Sequence, residues 1–342
     1  MSRSRKLLPI ALLLASSALA APPTITSVTP NTGRVAGNEE VTIRGTGFDN
    51  SAVVEFGGAV AHDIHVIDAT TITAKTPAHL PGATFVRVNQ PTSGSGSAPF
   101  TFTGATSDAF ERFLLPVYTG PVKGAFGSEF HTEFHAANTG FNSQIVPVHG
   151  LMYNCIILCP PLDPANDPIP IKPSEAFDDR NAILDGTPGR FLYVPKQAAR
   201  DLGLYLRVFD VTREAANYGT ELRVVRERDF TNSEPMLFPR VPVDPRFRIT
   251  LRIYSAAPAF AFVTFNGEAH VVELRKPRND LFTPAYATFT NFPVNVTNGA
   301  MDITVAPPDP LEPPPLLYPP AIWAFLTITN NDTQQITTMH PN

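Results

Sequence analysis

Apolar and polar positions alternate in short runs over the first hundred residues, and turn-forming residues separate the runs. Val41 and Ile43 share one face of the segment 40–44, and a later apolar run ends in the pair Gly57–Gly58. Alternation with a period of two is typical of half-buried strands, and a glycine pair after such a run favours a hairpin. Strand-like runs recur at roughly 8–12 residues, which predicts a β-sandwich over residues 22–103.

The same stretch carries an ordered series of short motifs. They are Ile25-Thr26-Ser27-Val28-Thr29-Pro30, Gly37, Val41 to Phe48, Val54 to Gly58, Thr71 to Ala74, and Pro81-Gly82. In this order the motifs make residues 22–103 similar to the IPT/TIG family. The resemblance implies an immunoglobulin-like sandwich without shared catalytic residues. That family occurs in cell-surface receptors, in DNA-binding factors and as a spacer in starch-active enzymes, so the resemblance alone specifies no ligand.

Strand-like segments continue after a short joint of small residues at Gly104–Ser107. One helix is predicted at Lys196–Leu202, where proline precedes and glycine follows the segment. The remaining chain is long for one sandwich, so we expect two β-rich lobes, 108–212 and 213–342. The predicted fold class is all-β, with an N-terminal immunoglobulin-like sandwich followed by one or two further β-sandwich lobes. The other strands are expected at 113–117, 126–136, 151–158, 190–194, 204–211, 221–225, 247–254, 260–265, 270–274 and 322–329.

Proline content supports the same fold class. Proline accounts for 36 of the 342 residues, which is about twice the usual share of roughly 5%. Because proline is excluded from helix interiors and central strands, its abundance favours turns, strand ends and extended loops.

The first twenty residues have the layout of a secretory signal peptide, with basic residues, an apolar run at 7–15 and small residues ending at Ala20. We expect cleavage after Ala20 or Ala21 and a secreted, periplasmic or cell-surface location. Removing this segment changes the formal net charge of −5 to about −8, and an acidic chain is not expected to bind nucleic acid. No apolar stretch reaches the length of about 20 residues that a membrane span needs, so none is expected after cleavage.

Cys155 and Cys159 are the two cysteines of the chain. An even pair in an oxidising compartment favours a disulfide. Strand residues four apart lie about 13 Å apart, whereas bridged Cα atoms lie near 6 Å. The chain must therefore turn sharply beside Pro160–Pro161 for the bond to form. Two free buried thiols, and a redox or metal site, are the alternatives.

His131, Glu133 and His135 alternate along a predicted strand and so share one face, opposite Phe130 and Phe134. Two imidazoles and a carboxylate are suitable ligands for a divalent ion. The helical metalloprotease pattern is absent, since it places glutamate directly after the first histidine. Outer ligands four apart on a strand are also too distant for one ion. We expect a polar solvent face above a phenylalanine core, with no metal and no cofactor.

Five arginines lie on or beside predicted strands of the two lobes: Arg207, Arg223, Arg246, Arg248 and Arg252. Grouped on one face, they would form a basic patch for an acidic glycan. The expected arrangement is cross-strand pairing with acids such as Glu221 and Glu227.

Four oxygen-bearing residues crowd a predicted loop: Asp178, Asp179, Asn181 and Asp185. Oxygen ligands suit calcium, but the spacing does not match an EF-hand loop, so a solvated acidic loop is expected.

Motifs for catalysis are sparse. The chain contains no nucleophile elbow and no phosphate-binding loop, so no catalytic residue is assigned. We predict a secreted or cell-envelope β-sandwich protein with a binding or structural role and a protein or glycan ligand, not an enzyme. A carbohydrate-active or other hydrolytic enzyme with an IPT/TIG accessory module is the alternative, since a glycosidase needs only two opposed carboxylates. Trp323 and Tyr318 are candidate aromatic contacts, with a core position as the other interpretation of Trp323.

Overall fold

A computed structural model describes residues 21–117, 121–140, 176–179 (backbone), 189–213, 218–265, 267–278, 282–290, 292, 300–308 and 320–341. Strands dominate these residues, and the predicted all-β fold is confirmed. Within these residues, helix is limited to α1 (Thr106–Ala109) and two 3-10 turns, Ala125–Gly127 and Glu227–Asp229. No helix in the described part of the chain is long and apolar enough to cross a membrane.

The N-terminal domain consists of two sheets that share one core. One sheet has the order β1-β3-β7-β6 and the other β2-β9-β8-β4-β5, with β2 and β9 parallel. The predicted alternation is confirmed, because Val41 and Ile43 are buried with Phe56 and Phe100. The strands are β1 (Thr24–Thr29), β2 (Thr32–Arg34), β3 (Glu40–Thr46), β4 (Val53–Phe56), β5 (Ala59–Val60), β6 (His62–Asp68), β7 (Thr71–Lys75), β8 (Gly82–Gln90) and β9 (Gly94–Thr103).

Glycines determine two close approaches in this domain. A Cβ on Gly45 would lie 1.8 Å from the carbonyl oxygen of Thr24, so only glycine lets β1 and β3 approach here. Gly57 and Gly58 have φ angles of 55° and 84° and form the predicted hairpin between β4 and β5. The serine–glycine segment after Pro91 is part of a strand, because β9 begins at Gly94, opposite Gln90.

The second lobe follows α1 and also contains two sheets. Their orders are β14-β10-β17 and β11-β12-β15-β16, and β13 pairs with β12 as well. The strands are β10 (Phe110–Pro116), β11 (Val122–Lys123), β12 (Glu129–Asn138), β13 (Ala176–Asp179), β14 (Gly189–Pro195), β15 (Leu202–Asp210), β16 (Thr220–Leu222) and β17 (Val225–Arg226).

The third lobe has two four-stranded sheets, β18-β23-β20-β21 and β22-β19-β24-β25. On β19, Ile249, Leu251 and Ile253 are buried, while the alternate residues lie on the opposite face of the sheet. The strands are β18 (Met236–Pro242), β19 (Phe247–Ser255), β20 (Ala259–Phe265), β21 (Glu268–Leu274), β22 (Ala285–Phe289), β23 (Ala300–Ala306), β24 (Ile322–Asn330) and β25 (Ile336–Met339).

The strand pairing bears on the predicted boundary between 108–212 and 213–342. β16 and β17 follow residue 213, yet they pair with β15 and β10 of the second lobe. Because a strand belongs with the sheet that satisfies its backbone, this pairing favours a boundary between Asp229 and Met236. The division into independently folding units stays a prediction.

The helix predicted at Lys196–Leu202 is wrong. The segment forms successive turns, in which Ala198 N donates to the Pro195 carbonyl and Asp201 N to the Ala198 carbonyl. Leu202 then enters β15 opposite Asn138. Because Leu202 pairs within the sheet, the segment before it is too short to form a stable helix.

Candidate functional site

The alternating His131, Glu133 and His135 lie on β12, and β15 places a matching row of side chains beside them. Glu133 is opposite Arg207 in the antiparallel register, and His135 is opposite Tyr205. Alternation directs these residues to one face of the sheet and Phe134 to the core. We call this outer surface the tyrosine face; its members are His131, Glu133, His135, Tyr205, Arg207, Phe209 and Tyr218.

Glu133 and Arg207 form a buried ion pair at the centre of the tyrosine face, with exposed fractions of 2% and 1%. The Arg207 Nε donates to Glu133 Oε2 at 2.7 Å, and Nη2 donates to the same oxygen. His135 Nε2 lies 2.9 Å from Glu133 Oε1. The expected solvent face is therefore wrong at Glu133, since both carboxylate oxygens are engaged inside the protein.

Aromatic rings cover Arg207. Its guanidinium carbon lies 4.3 Å from the centroid of Phe209 and 4.1 Å from that of Tyr218, which is cation–π geometry. Arg207 Nη1 also donates to the Tyr218 carbonyl oxygen at 2.5 Å. Tyr218 is 72% exposed. One residue therefore contacts the buried ion pair and presents an aromatic ring to solvent.

The position of Tyr218 depends on the next residue. Gly219 has a φ angle of +94°, and a Cβ there would lie 2.5 Å from the Val208 carbonyl oxygen. Only glycine tolerates this backbone conformation and this approach to β15. The Tyr-Gly sequence directly before β16 therefore fixes the orientation of the Tyr218 ring.

Tyr205 extends the aromatic surface beside His135, with ring centroids 5.7 Å apart. Desolvation, followed by its hydrogen bond with Tyr218, raises the pKa of Tyr205 to about 12. The phenol therefore stays neutral through the physiological range and offers both a hydrogen-bond donor and an acceptor.

The side chains of the two histidines contact different carboxylates. His131 Nε2 lies 3.1 Å from Glu129 Oε1, whereas His135 contacts Glu133. No group of three His, Cys, Asp or Glu side chains in the described part of the chain is placed to hold a metal ion. The absence of a metal stays a prediction.

The arginines partly follow the expected pairing, although the partners differ. Arg223 pairs with Asp229 at 3.6 Å and Arg246 with Asp244 at 2.8 Å. Glu227, an expected partner, instead holds Arg112.

Glu221 is opposite Arg207 in register, but Arg207 forms its ion pair with Glu133. Within the described chain, Arg248 and Arg252 have no carboxylate partner.

Several other candidates lie elsewhere. Trp323 is buried and packs on Phe325 with centroids 5.2 Å apart, so it belongs to the core. Asp178 and Asp179 lie on β13, not in a loop. The remaining candidates, namely Cys155, Cys159, Asn181, Asp185, Tyr318 and the strand 151–158, lie outside the described residues.

Comparison with solved structures returns chains of low identity. A gamma-CGTase from alkalophilic Bacillus clarkii is 16% identical, with a TM-score of 0.23 over 62% of this chain and 25% of that chain. The plexin A4 extracellular region is 17% identical, with a TM-score of 0.23 over 66% and 19%. SGBP-B from a xyloglucan utilization locus in Bacteroides uniformis is 10% identical, with a TM-score of 0.22 over 94% and 74%.

The protein thus spans about a quarter of the gamma-CGTase and a fifth of the plexin region. No curated protein matches its sequence. A family model does match the N-terminal sandwich, over residues 23–103. This segment has the strands, the glycine hairpin and the motif order that the sequence predicts. Residues 23–103 are an IPT/TIG domain.

Proposed function

We propose that this is an exported β-sandwich binding protein that takes a glycan at the tyrosine face. The observation that carries the proposal is the ring of Tyr218, which is 72% exposed while it stacks on the buried Arg207. A large, exposed and fixed aromatic ring has no role in the core, and such rings are typical of recognition surfaces.

The chemistry of the tyrosine face suits a sugar. The C–H face of a pyranose ring is apolar and packs on an aromatic ring, while its hydroxyls need polar partners around it. Tyr205 and the part-exposed His131 and His135 provide such partners beside Tyr218. A protein ligand would also use tyrosine, but the alternation of rings with polar side chains favours the glycan.

Preorganisation supports binding at this surface. Tyr218 is held by the Arg207 stack, by the hydrogen bond to its carbonyl oxygen and by the restricted backbone of Gly219. A side chain already ordered in the free protein loses little conformational entropy on binding. The Glu133–Arg207 pair therefore serves as a support beneath the contact surface.

The buried carboxylates of the described residues do not favour the hydrolase alternative. Glu133 and Asp210 are the buried carboxylates of the described residues, and arginines hold both of them, Arg207 and Arg213 respectively. A carboxylate engaged in this way is not available as an acid, a base or a nucleophile at a glycosidic bond. No second function is proposed.

The test is a screen of the exported chain on an array of neutral glycans, followed by calorimetry with the best oligosaccharide. Tyr218→Ala should weaken binding by about tenfold or more, since truncating a central aromatic contact costs about 2 kcal/mol. Phe85→Ala is the matched control, because Phe85 is 60% exposed on the IPT/TIG domain. Equal affinities for wild type and Tyr218→Ala, or a screen without any bound glycan, would refute the proposal.

A further inference from the structure

A second candidate site shares one residue, His131, with the tyrosine face. A cavity of about 380 Å³ lies between the second and third lobes, with walls from β12, β15 and β16 on one side and β19, β24 and β25 on the other. This volume falls within the range of about 300–1,000 Å³ that small-molecule sites occupy. We call it the interlobe cavity. Arg248 and Arg252 of β19 line it, and none of the described residues lining it is acidic.

Both arginines contact neutral partners. Arg248 donates from Nη1 to Asn331 Oδ1 at 2.6 Å and from Nη2 to Gln334 Oε1 at 2.9 Å. Arg252 donates from Nη1 to Thr327 Oγ1 at 3.0 Å. A guanidinium carries five N–H donors, so Arg252 keeps most of them for another acceptor.

The contrast with the other arginines is informative. A larger groove of about 630 Å³ contains Arg223, but Asp229 lies in the same groove and pairs with it. Arg207 and Arg246 also have carboxylate partners. In the interlobe cavity, by contrast, Arg248 and Arg252 line a space whose described lining residues include no carboxylate.

Burial removes water from the guanidinium groups of both Arg248 and Arg252. Burial lowers the pKa of Arg248, and burial is also the main cause that lowers the pKa of Arg252. A positive charge withdrawn from water without a carboxylate is costly to the free protein. An anion entering the cavity would remove this cost, and planar carboxylates match the guanidinium fork best.

The rest of the lining restricts the ligand further. Thr250 and Thr327 place hydroxyls beside the arginines, and Val208 and Leu222 supply apolar surface from the opposite wall. The structure assigns the interlobe cavity as a site for a small acidic sugar, with Arg252 binding its carboxylate and the threonines facing its hydroxyls. The assignment does not rest on the neutral glycan proposed for the tyrosine face, and Tyr218 is not part of the cavity lining.

Calorimetry on the exported chain tests the assignment with glucuronate, glucose and inorganic sulfate as probes. Glucuronate should bind at least about tenfold more tightly than glucose, the effect of a single lost charged hydrogen bond. It should also bind more tightly than sulfate, because the site uses the sugar hydroxyls as well. Equal binding of glucuronate and glucose, no binding of glucuronate, or a preference for sulfate would overturn the assignment.

Variants locate the binding. Arg252→Met should lower glucuronate affinity by at least about tenfold. Arg246→Met, which removes an exposed charge paired with Asp244, should leave the affinity unchanged. Tyr218→Ala should also leave it unchanged, which separates this site from the tyrosine face. Wild-type affinity in Arg252→Met would overturn the assignment.

A thermal melt of the unliganded variant gives a readout that does not depend on the ligand. Replacing an unpaired, desolvated charge by an apolar side chain of similar volume is neutral or stabilising. Arg252→Met should therefore melt at or above the wild-type temperature. A clear fall in its melting temperature would show that the charge is compensated inside the protein and would also overturn the assignment.

Discussion

Removing Arg207 tests the support beneath the tyrosine face. Arg207→Met keeps the aliphatic stem but leaves the buried Glu133 without its main partner. The carboxylate loses the two hydrogen bonds from Nε and Nη2, and His135 stays on its other oxygen. Each charge-assisted bond contributes about 1.5–3 kcal/mol, and stranding one member of a buried ion pair costs about 3–5 kcal/mol. We therefore expect the second lobe to lose about 3–5 kcal/mol of unfolding free energy.

Urea denaturation followed by circular dichroism measures the loss, and hydrogen–deuterium exchange of β12 and β15 assigns it to the second lobe. Arg246→Met is the control, since its pair with Asp244 is exposed to solvent and its loss should leave the unfolding free energy unchanged. The double variant Glu133→Leu/Arg207→Met should recover most of the stability, because it leaves no unpaired charge. A single variant as stable as wild type, or a double variant no better than the single, would refute the reasoning.

Three further predictions follow from individual contacts. Desolvation raises the pKa of the fully buried Tyr254 from its usual range to about 12. The unfolded chain therefore ionises first, so Tyr254 should remove about 3 kcal/mol of stability between pH 10 and 12, and urea titrations of Tyr254→Phe should show a fall smaller by that amount. Gly219→Ala, strained at a φ of +94°, should cost about 1–3 kcal/mol and weaken binding at Tyr218; unchanged denaturation and affinity would contradict this. Dialysed protein should retain no stoichiometric zinc by atomic absorption, because Arg207 and His135 occupy Glu133; one zinc per chain, lost in His131→Ala, would contradict it.

The regular strands of the IPT/TIG domain were predictable because each carries its own alternation. Val41 and Ile43 mark one face of β3 without any knowledge of its neighbours. β2 has three residues and β5 has two, which is too short to show an alternation of apolar and polar side chains. They are strands because β2 pairs with β9 and β5 pairs with β4. β23 does alternate through Met301, Ile303 and Val305, and this signal was missed beside the proline tract that follows it.

The tyrosine face was predictable only in part. The shared face of His131, Glu133 and His135 follows from their spacing on one strand. The pairing of Glu133 with Arg207 depends on the register of β12 against β15, and these residues lie 74 positions apart. Local pattern carries no information about that register, so a buried ion pair was mistaken for a solvated surface.

Tyr218 was missed as a site residue for a related reason. Its importance comes from the guanidinium beneath it and from the backbone of Gly219, and neither contact has a periodic signature. The Tyr-Gly step before a strand was the available signal. The arginines of β19 were recognised as sharing a face, but the cavity that Arg248 and Arg252 line requires the second lobe beside them.

Ligand binding on the tyrosine face of the second lobe should slow the exchange of backbone amides beneath that face. The measurement is hydrogen–deuterium exchange of the protein with and without the neutral oligosaccharide selected on the array. Bound ligand should slow exchange in β12, β15 and the segment 218–222, and leave β8 of the IPT/TIG domain unchanged. Protection confined to the IPT/TIG domain or to the third lobe would contradict the account.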